Sequence, residues 1–436
     1  MVVTKPRSTY VFVFLPTAGF VPAGKLDMFE DGRNSYAIFQ YGNRYAARGD
    51  AIAVDPDALP LPPPGNQPNQ FTTPEGFELF NGIRDAAPDG WGRYVMNKAA
   101  PDKVFGEFDY LVASGEHRVG ALAFGPDPSK PPRRVAPWGD NNADGEFLDL
   151  SVMVEAAERI EVAEVLDPDL RRFLVVGSSL GGARPKAAAM HEGRPFIAKF
   201  SSKGDTYAVT RAEFAAMKLA RECGLEVPRV DCLSVFGRDV YLIERFDRVA
   251  DENGQNVQRV AFVSALTMLG ALELASHEYA YGDLAEVVRK RSSSPSADLR
   301  ELFRRMAFNV LCCNDDDHLR NHGFLFDGKG WRLSPAYDVV PKPQIRTEHR
   351  LVLQVGARGR EATLFNALTH CARFGFDANE AQSILEGMRS HVAARWEVVC
   401  RESGVPAGDM GRLATCFSEA MKPDWFGTTR FRPHIT

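Results

Sequence analysis

The stretch from 314 to 321 carries the residue types from which a catalytic site could be built. It reads Asn-Asp-Asp-Asp-His-Leu-Arg-Asn, and Asp316 and Asn321 are five positions apart, which matches the Asp-x-x-x-x-Asn spacing of a kinase catalytic loop. Phosphoryl transfer needs a carboxylate beside the acceptor hydroxyl, and amide and carboxylate oxygens that hold Mg²⁺ on the phosphates. Asp338, which follows 17 positions after Asn321, is the candidate for the second carboxylate.

The secondary-structure elements on either side of this stretch must hold it in place as a loop. Residues 303–311 have the pattern of a helix, whereas 323–326 and 331–333 read as two strands joined by a tight turn. Catalytic groups tend to lie on loops that are held in this way. Acids between a helix and a hairpin also simply solvate a turn, and we assign that role to Asp315 and Asp317.

Composition restricts the class of protein. The 436 residues carry 52 basic and 57 acidic side chains, which argues against a generalised nucleic-acid-binding surface. Seven cysteines, an odd number without Cys-x-x-Cys spacing, fit reduced thiols better than disulfides or a zinc site. Apolar runs are too short for a membrane span, and the N-terminus lacks the pattern of a signal sequence. We therefore expect a cytoplasmic protein without a membrane partner.

The order of patterns along the chain predicts four segments. Residues 8–54 read as β, with strands at 8–15, 18–29 and 35–41, and residues 1–125 are expected to form a β-rich N-terminal part. A proline-rich linker or loop follows at 126–150. A second β-containing unit is predicted at 151–250, with a hairpin at 187–200. A mostly helical region is predicted at 251–436, with one helix at 378–397, whose start is marked by residues 377–380, and another at 410–421.

The second β-containing unit opens with a small-residue loop that could approach phosphate. Residues 177–186 lack the Gly-Lys-Ser/Thr ending of a Walker loop, so a plain hairpin entry is the alternative. Lys199 lies in an apolar strand pattern, where it either needs an anionic partner or faces water from an edge strand. Glu213 could pair with a lysine, or could form a capping box with Thr210 at a helix start.

Five motifs in this order make the sequence similar to the HipA family, the serine/threonine kinase toxins of HipA–HipB toxin–antitoxin modules. They are residues 177–186, 197–200, 244–248, 314–321 and 334–338, and 88–92 fits the family's N-terminal part. The resemblance covers nearly the whole chain. It implies an α+β, bilobal, protein-kinase-like (HipA-like) fold with a β-rich N-terminal part and a mostly helical C-terminal lobe.

The resemblance also implies roles for individual residues. Asp316 would accept the proton of the substrate hydroxyl, while Asn321 and Asp338 would bind Mg²⁺. The residues expected to bind ATP are Gly181, Gly182, Ala183, Arg184, Pro185, Lys186, Lys199, Glu244, Arg245, Phe246, His318, Leu319, Arg320, Asn321, Tyr337 and Asp338. Of these, Glu244, Arg245 and Phe246 would hold the adenine. Ser179 matches the family's autophosphorylated serine, with Ser178 as the alternative acceptor. A phosphate there adds about −1.5 to −2 charge, and repulsion from ATP and Asp316 would eject the loop and silence the enzyme.

The resulting hypothesis is an ATP- and Mg²⁺-dependent serine/threonine kinase toxin. By family analogy it would phosphorylate an aminoacyl-tRNA synthetase, with the glutamyl enzyme as leading candidate, and so inhibit translation. A HipB-like helix-turn-helix antitoxin would neutralise it and carry most of the DNA binding. Two alternatives stay open: a kinase of the same fold with a non-toxin substrate, and a non-catalytic nucleotide-binding corepressor of a DNA-binding partner.

Overall fold

The computed structural model describes residues 5–30, 35–136, 149–162, 177, 182–250, 257–344, 348–422 and 425. They divide into two compact units. Unit 1 comprises Met1–Asp205, Asp231–Leu272 and Gly323–Gly328, and unit 2 comprises Thr206–Val230, Glu273–His322 and Lys329–Thr436. The four segments predicted from the sequence remain a prediction, and residues 137–148 of the expected linker lie outside the described residues.

The first part of unit 1 is a five-stranded antiparallel sheet. Its strands are β1 (Arg7–Leu15), β2 (Gly19–Phe29), β3 (Tyr36–Tyr41), β4 (Gln70–Thr72) and β5 (Leu122–Gly125), in the order β4-β3-β2-β1-β5. The predicted strands at 8–15, 18–29 and 35–41 are confirmed. Alternate side chains such as Val11, Val13 and Phe39 are fully buried, so one face of the sheet forms a core.

Among the described residues of unit 1, five helices precede the second sheet. They are α1 (Asn43–Ala46), α2 (Asn81–Arg84), α3 (Gly90–Ala99), α4 (Glu107–Ala113) and α5 (Leu150–Val162). The sheet contains β6 (Lys186–His191), β7 (Arg194–Phe200), β8 (Val230–Val235) and β9 (Arg238–Glu244), in the order β6-β7-β9-β8. Apolar residues of α3 and α5, such as Trp91 and Met153, share a core with Phe196 of β7. The hairpin predicted up to residue 200 is confirmed.

Short strands complete unit 1. β10 (Arg248–Ala250) pairs with β11 (Val257–Arg259), and β12 (Phe262–Ser264) pairs with β13 (Gly323–Phe326). Helix α6 (Val209–Glu222) precedes these strands in the chain and belongs to unit 2. The four-residue helix α7 (Ala265–Met268) follows β12 and belongs to unit 1.

Unit 2 is mostly helical, as predicted for this part of the chain. Its helices after α6 are α8 (Tyr281–Arg291), α9 (Pro295–Leu311), α10 (Leu364–Thr369), α11 (Ala378–Glu402) and α12 (Ala407–Leu413), with one short strand, β14 (Trp331–Leu333). The side chain of Asp377 accepts hydrogen bonds from the N–H groups of Asn379 and Glu380, which confirms the predicted start of α11. The single helix expected at 410–421 is instead α12 followed by a 3₁₀ turn.

The predicted capping box at Thr210 and Glu213 is wrong. Helix α6 begins at Val209 after Ala208, so Thr210 is not the N-cap residue, and the N–H of Ala208 donates to Asp409 Oδ2 at 2.9 Å. Thr210 and Glu213 are both buried within the helix. The sequence pattern of a capping box was misleading because Thr210 and Glu213 lie on the buried face of α6 and not at its first turn's cap position.

Among the described residues, no helix combines the length and apolar character needed to cross a membrane.

Candidate active site

The stretch 314–321 forms the loop after helix α9 that the sequence predicts. The helix is followed by Cys313, which takes a left-handed conformation with φ of 53°. Asn314 then anchors the loop, because its backbone N–H donates to the Asn309 carbonyl at 3.0 Å and its Nδ2 donates to Asn309 Oδ1 at 3.1 Å. A 3₁₀ helix at Leu319–Asn321 closes the loop. The backbone that bears the carboxylates of this loop is therefore fixed by hydrogen bonds.

Asp316 is the exposed acid of the loop. Its side chain is 64% exposed, so the carboxylate is open to solvent. Asn321 is buried, and its Nδ2 donates to the backbone carbonyl of Asp316 at 3.1 Å. With the NH₂ group used in this way, the amide oxygen is the atom of Asn321 suited to binding a cation. The structure thus brings together the two residues that the five-position spacing singled out.

Asp317 does not solvate a turn, and that prediction is wrong. Its side chain is buried and accepts hydrogen bonds from the Tyr281 hydroxyl and, at 3.0 Å, from His322 Nε2. Asn309 Nδ2 in turn donates to the Tyr281 hydroxyl at 3.1 Å. Desolvation would raise the pKa of Asp317, but the charge and hydrogen bond of His322 hold it below its usual value. A buried, bonded carboxylate beneath Asp316 makes the loop rigid.

Asp315 is also more than a solvated acid. Its side chain is 18% exposed, and its Oδ1 lies 3.3 Å from Lys342 Nζ. Gln344 Nε2 donates a hydrogen bond to the same carboxylate. Lys342 and Gln344 could not be linked to the loop from the sequence, because nothing in their spacing marks them.

Asp338 has a strained backbone that suits a functional residue. It follows β14 and is a non-glycine residue with φ of 58°, in the left-handed region. Its neighbour Tyr337 donates a hydroxyl hydrogen bond to the Arg320 carbonyl at 2.6 Å. That bond ties the segment carrying Asp338 to the 3₁₀ turn that contains Asn321.

The other predicted residues of this turn have mixed environments. Leu319 is fully buried, His318 is half-buried, and Arg320 Nε lies 3.3 Å from Glu273 Oε1. Within the described residues, no group of three or more His, Cys, Asp or Glu side chains could hold a metal. An Asn–Asp pair of oxygen donors such as Asn321 and Asp338 fits Mg²⁺, which takes one or two carboxylates and completes its shell with water and substrate phosphate.

Lys199 and Lys186 are a buried pair of cations in unit 1. They lie directly opposite each other on β7 and β6, and each residue is 7% exposed. Because β7 is flanked by β6 and β9, the alternative of an edge-strand lysine facing water is wrong. Lys199 Nζ also lies 5.8 Å from the Tyr241 ring centroid. Two buried lysines at opposed positions of a sheet suit a polyanion such as a triphosphate.

The end of the predicted phosphate loop is held by helix α3. Trp91 donates its backbone N–H to the Gly182 carbonyl at 2.8 Å and its indole Nε1–H to the Lys186 carbonyl at 3.1 Å. Gly182 has φ of 90°, a conformation that favours glycine, and a Cβ there would lie 2.3 Å from Lys186 Nζ. The sequence placed 88–92 in the family pattern but could not indicate this contact, which joins residues about ninety positions apart.

The remaining residues of the predicted phosphate loop have three different environments or outcomes. Arg184 makes a bidentate ion pair with Asp205, at 2.7 and 2.6 Å, which orients its side chain along the loop. Ala183 and Pro185 line a groove of about 550 Å³ in unit 1 together with Trp91. Gly181, Ser178 and Ser179 lie outside the described residues.

The motif 244–248, predicted to hold adenine, contains a buried ionic cluster. Arg245 donates to the backbone carbonyls of His117 at 2.7 Å and Arg118 at 3.0 Å, and forms a bidentate pair with Asp247. Its side chain therefore fixes the chain around residues 117–120. The adenine role of Glu244, Arg245 and Phe246 stays a prediction.

Comparison with known proteins places these features in a family. The family model for the HipA-like C-terminal domain matches residues 178–396, just over half of the chain. The Sinorhizobium fredii protein named "Putative kinase Y4mE" is 26% identical over 366 residues, which cover 75% of this chain and 82% of that protein. The "Serine/threonine-protein kinase toxin HipA" of Shewanella oneidensis is 28% identical over 185 residues, 37% of this chain and 42% of the toxin.

A solved structure supports the fold over nearly the whole length. A chain of the Shewanella oneidensis complex of HipA, HipB and operator DNA superposes with a TM-score of 0.66, covering 95% of this chain and 96% of that chain. The sequence identity is 17%, so this likeness establishes the fold. The family model and the fold agree with the motifs read from the sequence, and the chain therefore belongs to the HipA-like family of kinases and has its protein-kinase-like α+β fold.

Proposed function

We propose that the chain is an ATP- and Mg²⁺-dependent protein serine/threonine kinase that acts as the toxin of a toxin–antitoxin module. The observation that carries the proposal is the loop in which exposed Asp316 has its backbone carbonyl bound by buried Asn321. A kinase catalytic loop contains an aspartate and an asparagine five positions apart, as Asp316 and Asn321 are. Kinase and toxin are also what the name of the Shewanella oneidensis relative states.

In the proposed reaction, each polar group of the loop has one task. Asp316 accepts the hydrogen bond, and then the proton, of the acceptor hydroxyl, and its exposure leaves room for a protein substrate. Asn321 and Asp338 supply the oxygens for Mg²⁺, which when bound neutralises charge on the phosphates. Asp317 keeps the loop rigid through Tyr281 and His322.

ATP binding is proposed for the residues of the family motifs. Lys186 and Lys199 offer buried positive charge to the phosphates, and Gly182 allows the backbone of the loop to approach them. The remaining contacts are those carried over from the family at Gly181, Ala183, Arg184, Pro185, Glu244, Arg245, Phe246, His318, Leu319, Arg320 and Tyr337. Autophosphorylation of Ser179 is proposed on the family resemblance.

The target and the partner are proposed by analogy. An aminoacyl-tRNA synthetase, with the glutamyl enzyme first, is the expected substrate. A HipB-like helix-turn-helix antitoxin is the expected partner and would carry most of the DNA contacts. Support for the partner comes from the likeness to a chain of a solved complex that contains HipA, HipB and operator DNA.

The proposal is tested by measuring phosphoryl transfer in vitro and growth of cells that express the chain. Purified chain incubated with Mg²⁺ and γ-labelled ATP should label itself and a synthetase added as substrate, whereas the Asp316→Asn variant should label neither. Induced expression of the intact chain should arrest growth, and expression of Asp316→Asn should not. Phosphoryl transfer without growth arrest would point to a kinase with a non-toxin substrate, and ATP binding without any transfer would contradict the kinase proposal.

A further inference from the structure

The segment that follows Asp338 lies along the catalytic loop of unit 2. Lys342 donates its backbone N–H to the Cys313 carbonyl at 3.2 Å, and the Pro341 carbonyl accepts a hydrogen bond from the Tyr207 hydroxyl at 2.7 Å. Gln344 adds its side-chain bond to Asp315. Hydrogen bonds of Lys342 and of residues on both sides of it thus fix the backbone position of Lys342.

The Lys342 ammonium group lies beside two carboxylates of the loop. Its Nζ is 3.3 Å from Asp315 Oδ1 and 3.6 Å from Asp316 Oδ2. The two acids differ in exposure, because the Asp315 side chain is 18% exposed and that of Asp316 is 64% exposed. The mostly buried Asp315 carboxylate therefore holds the Lys342 ammonium group in place, whereas the Asp316 carboxylate is exposed to solvent.

This geometry leaves Asp316 able to act as a base. A separation of 3.6 Å is an ion pair that lies beyond hydrogen-bond distance, so the carboxylate keeps its oxygens for an acceptor hydroxyl. The lysine side chain is half-exposed, at 49%, and its flexible end has three N–H donors. An ion pair this exposed contributes about 0–1 kcal/mol to folding, so stability gives little reason for a lysine here.

We propose that Lys342 is a further catalytic residue, whose ammonium group binds the phosphoryl group of ATP during its transfer to the hydroxyl held by Asp316. Asp315 is the positioning residue that holds Lys342. This role of Lys342 rests on the proposed kinase function and on the distances from Lys342 to Asp315 and Asp316. A fixed cation at the place where charge spreads over the phosphoryl oxygens favours the transition state over the ground state.

The step balances without any change in Lys342. The acceptor hydroxyl oxygen forms the new O–P bond, the bond between the γ-phosphorus and the bridging oxygen breaks, and its electron pair leaves with ADP. The hydroxyl proton moves to the Asp316 carboxylate and from there to solvent. Lys342 keeps its three protons and donates hydrogen bonds to the phosphoryl oxygens throughout.

The test measures both catalysis and binding in Lys342→Gln. Loss of one charged donor should lower kcat about 10²-fold and leave the KM for ATP within about twofold. Calorimetric titration should show unchanged affinity for Mg²⁺–ADP, but about tenfold or more weaker binding of Mg²⁺–ADP with aluminium fluoride, which mimics the transferring phosphoryl group. Lys342→Arg keeps the charge and should recover most of the lost kcat.

The matched control is Lys422→Gln. Lys422 is 51% exposed and paired with Glu419, so it shares the exposure and pairing of Lys342 but lies apart from the loop motif. Its kcat and both affinities should equal those of the parent.

Three outcomes would overturn the inference. They are an unchanged kcat in Lys342→Gln, equal weakening of both ligands, which would indicate a structural role, and a Lys342→Arg variant as slow as Lys342→Gln. A parent protein that neither transfers phosphate nor binds the fluoride complex overturns the kinase proposal itself and this inference with it. An active parent with an unaffected Lys342→Gln overturns only the role of Lys342.

Discussion

The two units each contain an aspartate beside basic side chains, and the two clusters differ in exposure. In unit 1, Asp247 pairs with Arg245 and Arg248 at 2.7 and 2.8 Å, and all three side chains are at most 6% exposed. In unit 2, Asp316 lies 3.6 Å from Lys342 and is 64% exposed. The first cluster has its hydrogen bonds made within the protein, and the carboxylate of the second is open to solvent.

The closed cluster is structural because its bonds join distant parts of unit 1. Asp247 accepts a hydrogen bond from the Gly120 N–H at 2.7 Å, while Arg248 donates to the carbonyls of Gly120 and Arg118. Burial would raise the pKa of Asp247, but Arg245 and Arg248 hold it well below its usual value. The charged side chains of a motif can thus be fully used by the fold, as those of Arg245, Asp247 and Arg248 are.

The largest effect is expected from Asp316→Asn in the open cluster. Loss of the base should reduce phosphoryl transfer by about 10²–10⁴-fold. The free energy of unfolding should change by no more than about 0.5 kcal/mol, because the side chain is mostly exposed. Rates of γ-phosphate transfer and urea denaturation measure the two quantities. A strongly destabilised variant would show that Asp316 is structural and would remove the contrast between the clusters.

In the closed cluster, Asp247→Ala should reverse this pattern. Removing the acid leaves two buried guanidinium groups uncompensated, and the free energy of unfolding should fall by about 3–5 kcal/mol. Urea denaturation measures the loss. Arg194→Ala is the control, because Arg194 is 57% exposed in its pair with Glu244 and its loss should cost less than about 1 kcal/mol. Similar losses in both variants would contradict the assignment of Asp247 as a buried anchor.

Asp317→Asn tests the buried carboxylate under the open cluster. It keeps the shape but weakens the bonds from Tyr281 and His322, and the free energy of unfolding should fall by about 1–3 kcal/mol. Phosphoryl transfer should fall as well, since the loop that carries Asp316 loses its support. Denaturation and transfer rates should be compared with those of Tyr281→Phe, which removes one of the same bonds. Full activity in both variants would show that the loop holds its shape without this network.

The smallest effect is a pH dependence at the edge of the closed cluster. Burial, and then the charge of Arg245, lowers the pKa of His117 to about 3. Between its unfolded pKa of about 6.5 and that value, only the unfolded state binds the proton, so stability is lost as pH falls. At pH 5.5 the loss from this residue should be about 1.4 kcal/mol relative to neutral pH. The free energy of unfolding of His117→Gln should fall by that much less over the same range, and parallel profiles would contradict a buried neutral His117.

Local patterns were enough to predict most elements of the fold. Alternation gave β1 to β3, and apolar periodicity gave α11, because both signals depend on neighbours within a few positions. The helix predicted at 410–421 and the capping box at Thr210 failed, since packing decides where a helix ends and which side chains it buries.

The sequence by itself determined the pair Asp316 and Asn321, because five positions on one loop fix their proximity. Tertiary structure decided which of three consecutive acids is open: Asp317 is buried against Tyr281, and Asp316 faces outward. It also decided the contact of Lys342 with the loop, which spans 26 positions from Asp316. Burial and long-range pairing depend on how elements pack, and no local spacing records them.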